Sequence, residues 1–180
     1  MTKYARRKAV VVGETAGIGL AIAKRLVEGG ATVLLTARTA RERVHATAEL
    51  GSTARVMSPD AVEDGLGSDR DVDFLFADAV PTARQLLRHL RDGGAIVLTS
   101  PAPPPAAVHT LAVELVPRGI RVNAVAAGCI EAPGGGARPL PPLGRLGAVE
   151  EVARAALFLA AEATFTTGAR LPVDGGLSHP

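Results

Sequence analysis

Apolar residues fall in two alternating rhythms along the chain. Short unbroken runs are followed by stretches in which apolar positions recur three and four residues apart. Ala9-Val-Val-Val12 is a β-branched run closed by Gly13, the pattern of a strand buried on both faces of a parallel sheet. In Ile18–Glu28, Leu20, Ala23 and Val27 form a helical stripe that Ile22 and Leu26 widen, and Gly29-Gly30 supplies the stop. The alternation continues with a strand over 31–36, a polar amphipathic helix over 41–50 ending at Gly51, and strands over 53–57 and 73–76. A helix is predicted over 82–91, stopped by Gly93-Gly94, then a strand over 95–99. Helix 106–116, strand 121–125, helix 149–160 and strand 170–173 complete the series. Strands alternating with helices of this length predict an α/β fold, a doubly wound parallel sheet of six to seven strands with helices on both faces. One domain over 1–180 is expected, with no internal repeat.

Two segments break the rhythm: Ser100-Pro-Ala-Pro-Pro-Pro105, and the Gly/Pro-rich stretch from Ala132 to Leu143. Their proline density forbids helix interiors, so both are expected to be loops, the first of them stiff. Composition adds bounds. The chain has 180 residues, 47% of them hydrophobic and 21% charged, which suits a globular core and not a disordered chain. The net charge of +2 comes from Lys and Arg spread along the sequence, with only Arg6, Arg7 and Lys8 adjacent, so no nucleic-acid footprint is expected. The one cysteine, Cys129, has no intrachain disulfide partner, consistent with a reducing compartment and a cytoplasmic location. Met1–Lys8 is basic, but the apolar run after it is too short for a signal core or a membrane span. Four dispersed histidines (45, 89, 109 and 179) and one cysteine lack metal-ligand spacing, so no metal is expected.

Between the first strand and the first helix stands Gly13-Glu-Thr-Ala-Gly17-Ile-Gly19. Glycines there allow a tight turn, let backbone approach a pyrophosphate, and aim helix N-terminal amides at an anion. The Gly-x-x-x-Gly-Ile-Gly pattern in this position resembles the fingerprint of the short-chain dehydrogenases/reductases, a Rossmann-like family. Arg118-Gly-Ile-Arg-Val-Asn123 with Gly128, Ile130 and Pro133 resembles a later segment of that family. So do Leu143-Gly-Arg-Leu-Gly147, Glu150-Glu-Val-Ala153, Thr167-Gly168 and Val173-Asp-Gly-Gly176, in the family's order. The resemblance implies a dinucleotide site at Gly13, Thr15, Gly17, Ile18 and Gly19. It further implies Asp60-Ala61 beside an adenine, and Ala79 and Ile130 as further contacts. Arg38, where the family often places a base for the 2′-phosphate, implies NADP(H) over NAD(H). Glu14 puts a carboxylate inside the phosphate loop, which weighs against an anion there.

The resemblance also implies where chemistry should sit. The family's serine follows the fifth strand, and its tyrosine and lysine, four residues apart, open the next helix. Here Ser100 matches the residue before that serine, whose own place falls on Pro101. The segment for the tyrosine and lysine is missing; the chain's one tyrosine is Tyr4, and no lysine follows Lys24. A threonine expected to reach the carboxamide is Ala132, and the region 132–147, a substrate lid in the family, is reduced. Asp78, Ser100, His109 and Glu131 remain as catalytic candidates near the strand ends, with Cys129 read as a small buried apolar residue.

Three functions follow from this pattern. The main expectation is a non-redox or non-standard enzyme of cyclase, isomerase or dehydratase type, acting on a small apolar metabolite in a bacterial pathway. One alternative is an NADP-dependent oxidoreductase with an unusual proton donor. The other is a non-catalytic NADP(H)-binding or partner protein. The resemblance also implies a homo-oligomer, a dimer or tetramer, through helices 82–91 and 106–116; charge and hydropathy predict no nucleic-acid or membrane partner.

Overall fold

A computed structural model describes residues 3–13, 17–99, 104–131 and 139–178. Seven strands form one parallel sheet: β1 (Lys8–Val11), β2 (Thr32–Thr36), β3 (Ala54–Met57), β4 (Val72–Ala77), β5 (Leu90–Leu98), β6 (Arg121–Ala127) and β7 (Arg170–Val173). Their order is β3-β2-β1-β4-β5-β6-β7. The order reverses between β1 and β4, the point at which parallel sheets of this kind open a crevice outside the strand carboxyl ends.

The crossovers are α1 (Ile18–Glu28), α2 (Ala40–Leu50), α3 (Val62–Leu66), α4 (Val80–Leu86), α5 (Pro105–Leu115) and α6 (Val149–Ala161). Strand residues point alternately to two apolar layers, as the period of two requires. Val11, Phe76 and Val97 pack toward α1, α2 and α6, whereas Val10, Leu75 and Ile96 pack toward α3, α4 and α5. All six of these side chains are buried, and this two-sided burial explains why the central strands read as unbroken apolar runs.

The expected helix over 82–91 is a correction. α4 runs from Val80 to Leu86, and β5 already begins at Leu90, passing through Gly93-Gly94. Pro81 suits the first turn of α4, where no amide is needed. At the other end Arg118 Nη1 donates to Leu87 O at 2.9 Å and its Nε pairs with Asp92 at 2.8 Å, while Nη2 donates to Leu90 O. These carbonyls are thereby held in a turn. Fully buried Leu90 pairs with Val72 in the sheet, so its apolar side chain serves a strand and not a helix stripe.

The amino end of the sheet is tied by charge. Buried Asp73 accepts from Arg7 Nη1 at 2.7 Å and from the Lys8 N–H at 2.8 Å, and Arg91 Nε lies 2.8 Å from the same carboxylate. Tyr4 is buried beside this cluster, against Gly29 at the end of α1, with its ring edge-on to Phe74. Among the described residues no helix is long and apolar enough to cross a membrane.

Candidate functional site

At the carboxyl ends of the strands lies a cavity of about 740 Å³, a size typical of small-molecule and cofactor sites. Parallel register builds its floor. Val11 pairs with both Leu35 and Phe76, and Ala77 with Leu98, so Gly13, Asp78 and Thr99 fall in register just past the ends of β1, β4 and β5, with Thr36, the last residue of β2, one residue short of that row. All four line the cavity. The Gly13 N–H donates to Thr36 Oγ1 at 3.2 Å, and the Thr82 hydroxyl donates to Asp78 Oδ1 at 2.8 Å. That bond spans one turn, from the residue after β4 to the third residue of α4.

One wall is the glycine turn and the start of α1. Gly13 has φ +146 and Gly17 φ +114, conformations that a side chain disfavours. A Cβ at Gly13 would sit 3.7 Å from Asp78 Cβ and would narrow the cavity; a Cβ at Gly17 would meet Val149 at 3.8 Å. The backbone conformation of the turn thus calls for glycine at both positions. The first amides of α1 have no intrahelical acceptor and carry the positive end of an 11-residue helix, so an anion such as a diphosphate fits there.

On the β2 side, Arg38 and Asp60 reach the cavity. Arg38 stands two residues past β2, and its backbone N–H donates to Glu42 Oε2 at 2.8 Å, beside the capping box with which Thr39 opens α2. On the β6 side stand Ile130 and Glu131. They are fixed by a bridge between Ile130 and Gly147, with the Glu131 N–H donating to Gly147 O at 2.8 Å and the Gly147 N–H to Cys129 O at 2.9 Å. Residues 139–147 are in turn tied to the chain's end, where Leu143 N–H donates to Gly175 O at 3.0 Å.

The structure therefore brings together Gly13, Gly17, Ile18, Gly19, Arg38, Asp60, Ile130, Asp78 and Glu131 from the sequence-based expectations. Ala61 and Ala79 flank the cavity in sequence without lining it. His109 is exposed on α5, near Gly168, and is remote from the cavity lining. Cys129 is half-buried and does not line it either. Thr15 and Ser100 lie outside the described residues, as do Glu14, Ala132 and Pro133. Thr36, Thr82 and Thr99 escaped the sequence reading. The signal for Thr36 and Thr99 was their place at the end of a buried strand, and for Thr82 its spacing of four from Asp78. Tyr4 sits at the opposite end of the sheet from the cavity, before the first residue of β1. Among the described residues no cluster of His, Cys, Asp and Glu is arranged to hold a metal.

A parallel sheet with a glycine turn, a helix N-terminus and a cavity at its switch point defines a Rossmann-like α/β fold. A short chain dehydrogenase family model matches residues 7–86, and an enoyl-(acyl carrier protein) reductase model of the same kind matches 105–178. A 3-oxoacyl-[acyl-carrier-protein] reductase of Salmonella typhimurium is 30% identical over 94% of this chain and 96% of its own length. The chain belongs to the short-chain dehydrogenase/reductase family. An uncharacterized oxidoreductase of Escherichia coli is 39% identical over 61% of this chain, an alignment spanning 54% of that relative; two further alignments span 32% and 31% of the relatives concerned. Among solved structures, the apo form of a short chain oxidoreductase from Pseudomonas aeruginosa PAO1 containing an atypical catalytic center matches with a TM-score of 0.81. It is 25% identical, and the match covers 99% of each chain. These relatives favour the oxidoreductase alternative over the cyclase, isomerase or dehydratase expectation.

Proposed function

We propose that this chain is an NADP(H)-binding oxidoreductase acting on a small apolar carbonyl or alcohol, and that it works without the tyrosine and lysine of its family. The observation that carries the reading is the cavity itself, walled by the glycine turn and the α1 N-terminus on one side and by Arg38 on the other. A bound nicotinamide supplies or takes up hydride. The chain's own part is to bind and orient. The first amides of α1 receive the diphosphate, Arg38 pairs with the 2′-phosphate, Asp60 borders the adenine side, and Ile130 gives an apolar wall at the far end. With Tyr4 at the wrong end of the sheet, a proton must come from water or from a cavity carboxyl.

The direct test is calorimetric titration with NADPH and NADH, comparing the native chain with Arg38→Glu. The native chain should prefer NADPH, and the variant should lose about 30-fold or more of its NADPH affinity, as expected for removing an arginine–phosphate pair and adding a like charge. Failure of the native protein to bind either dinucleotide overturns the reading. We extend the proposal to a homo-oligomer built through α4 and α5, in a cytoplasmic setting.

A further inference from the structure

The β6 side of the cavity is held from behind. Ile130 and Glu131 lie past the end of β6, and Val149, which lines the cavity with them, opens α6. Gly147 joins the two. Its N–H donates to Cys129 O, its carbonyl accepts the Glu131 N–H, and a Cβ there would come within 2.8 Å of Ile130 Cδ1. The place of this wall therefore depends on how closely residues 139–147 lie against 129–131. Apart from the Ile130–Gly147 bridge, 139–147 is neither helix nor strand, and Pro141 is its one buried residue, so it has no ladder or core of its own to fix it. Its support is the end of the chain. The Leu143 N–H donates to Gly175 O at 3.0 Å, a Cβ on Gly175 would come within 2.8 Å of Pro141 Cγ, and Pro142 lies against Gly176.

One side chain shapes that end. Asp174 follows β7 directly, and its carboxylate folds the chain back: Oδ1 accepts the Gly176 N–H at 3.0 Å, and Oδ2 accepts the Ser178 N–H at 2.9 Å together with the Ser178 hydroxyl. The backbone of Asp174 is pressed on the end of β6, where a Cβ on Gly128 would lie 2.5 Å from Asp174 Cα and the Gly128 N–H donates to Val173 O at 3.0 Å. We infer that Asp174, which does not line the cavity, is a positioning residue for it. The carboxylate holds the 174–178 turn against 141–143, and through Gly147 that segment places Ile130, Glu131 and Val149. Bonds to a charged acceptor are the stronger ones, and segments with few buried contacts open first when such bonds are lost. The link works in both directions. A ligand that fills the β6 side favours the docked turn by the same factor by which the docked turn favours the ligand. That the β6 side receives the end of a dinucleotide distal to the adenosine rests on the reading above, and so does the choice of ligand probes.

The test has one arm without ligand and one with it. In the first, amide hydrogen exchange is followed by NMR in the native chain and in Asp174→Ala. The amides of Glu131 and Gly147 should exchange about tenfold faster or more in the variant, while those of Val10 and Val11 in β1 keep their native rates. In the second, calorimetry compares NADPH with adenosine 2′,5′-bisphosphate, which ends at the adenosine. NADPH affinity should fall about fivefold or more in Asp174→Ala, with that of the bisphosphate within about twofold. Asp174→Asn keeps one acceptor oxygen and should lie between the two chains in both arms. Circular dichroism melting checks folding. If Asp174→Ala does not fold, Gly175→Ala, whose methyl group displaces Pro141 from the other side of the same contact, should give the same pattern. Native exchange rates at Glu131 and Gly147 in a folded variant overturn the inference. So does an equal loss for both ligands, the mark of a merely loosened fold. A native chain that binds neither ligand overturns the dinucleotide reading instead, and the positioning role then stands or falls on the exchange rates alone.

Discussion

Arg121 directs its guanidinium into the end of α6, where Nη1 donates to Leu159 O at 2.7 Å and Ala163 O at 3.0 Å, and Nη2 to Ala160 O at 2.5 Å. Leu159 and Ala160 present carbonyls of the last turn, which a helix leaves without partners and which carry its negative end, so a cation there satisfies both needs. Burial pulls the arginine's pKa below its usual range, the cost of holding a charge away from water. Arg121→Met keeps the aliphatic stem and deletes the donors. It should lower unfolding free energy by about 2 to 3 kcal/mol in urea denaturation, the scale of charged hydrogen bonds; a loss below about 0.5 kcal/mol would mean that water replaces the guanidinium fully. In the sequence Arg121 belonged to a family motif with no visible purpose, because its partners lie about 40 residues on. The same limit hid the floor of the cavity. Asp78 was visible as an acid after a strand, but Gly13 and Thr99 become neighbours of it, and Thr36 a neighbour of Gly13, only through strand pairing.

At the scale of elements, α6 opens with a charge clamp of its own. Glu151 accepts the Ala148 N–H at 2.9 Å and a two-pronged bond from Arg145, with both distances 2.8 Å. The arginine first, and then the backbone amide, hold its carboxyl well below the usual range, down to about 2 from 4.5. A carboxyl whose folded pKa is depressed adds stability above its unfolded pKa and loses it as pH falls through the folded one. The native chain should therefore lose this contribution between about pH 4.5 and 2, and Glu151→Gln should flatten that part of the melting-temperature profile. Because the pair is exposed, high salt should shrink the difference between the two profiles. Elements whose cause is local were legible in advance: β1 from its β-branched run, α1 from its stripe and glycine stop, and α6 nearly to the residue. The stretch 82–91 was misread because its apolar positions fit a helix until Arg118, distant in sequence, closes the turn and the sheet claims Leu90.

For the whole molecule, the topology was legible because strands alternating with helices leave few right-handed ways to wind a parallel sheet. The cavity was legible as a place, from its glycines, while its shape depends on residues gathered from β1, β2, β4, β5 and the Ile130–Glu131 segment. Assembly belongs to this scale too. The Arg84–Glu114 pair, with bonds of 2.7 and 2.6 Å, locks α4 to α5, while Val113 and Val116 stand more than half exposed on the neighbouring surface. Light scattering should give a multiple of 18.4 kDa, and Val113→Lys with Val116→Lys should shift the species to a monomer; a native monomer would refute the expected oligomer. 

Tyr4 carries one more consequence, an optical one. The sequence holds no tryptophan and this single tyrosine. Excited at wavelengths that phenylalanine does not absorb, ultraviolet emission from the folded protein therefore comes from one ring, wedged between Gly29 and Phe74 at the end of the sheet away from the cavity. Its signal reports whether the amino-terminal segment is docked on α1, and a reduced nicotinamide can be watched by its own fluorescence with no tryptophan background.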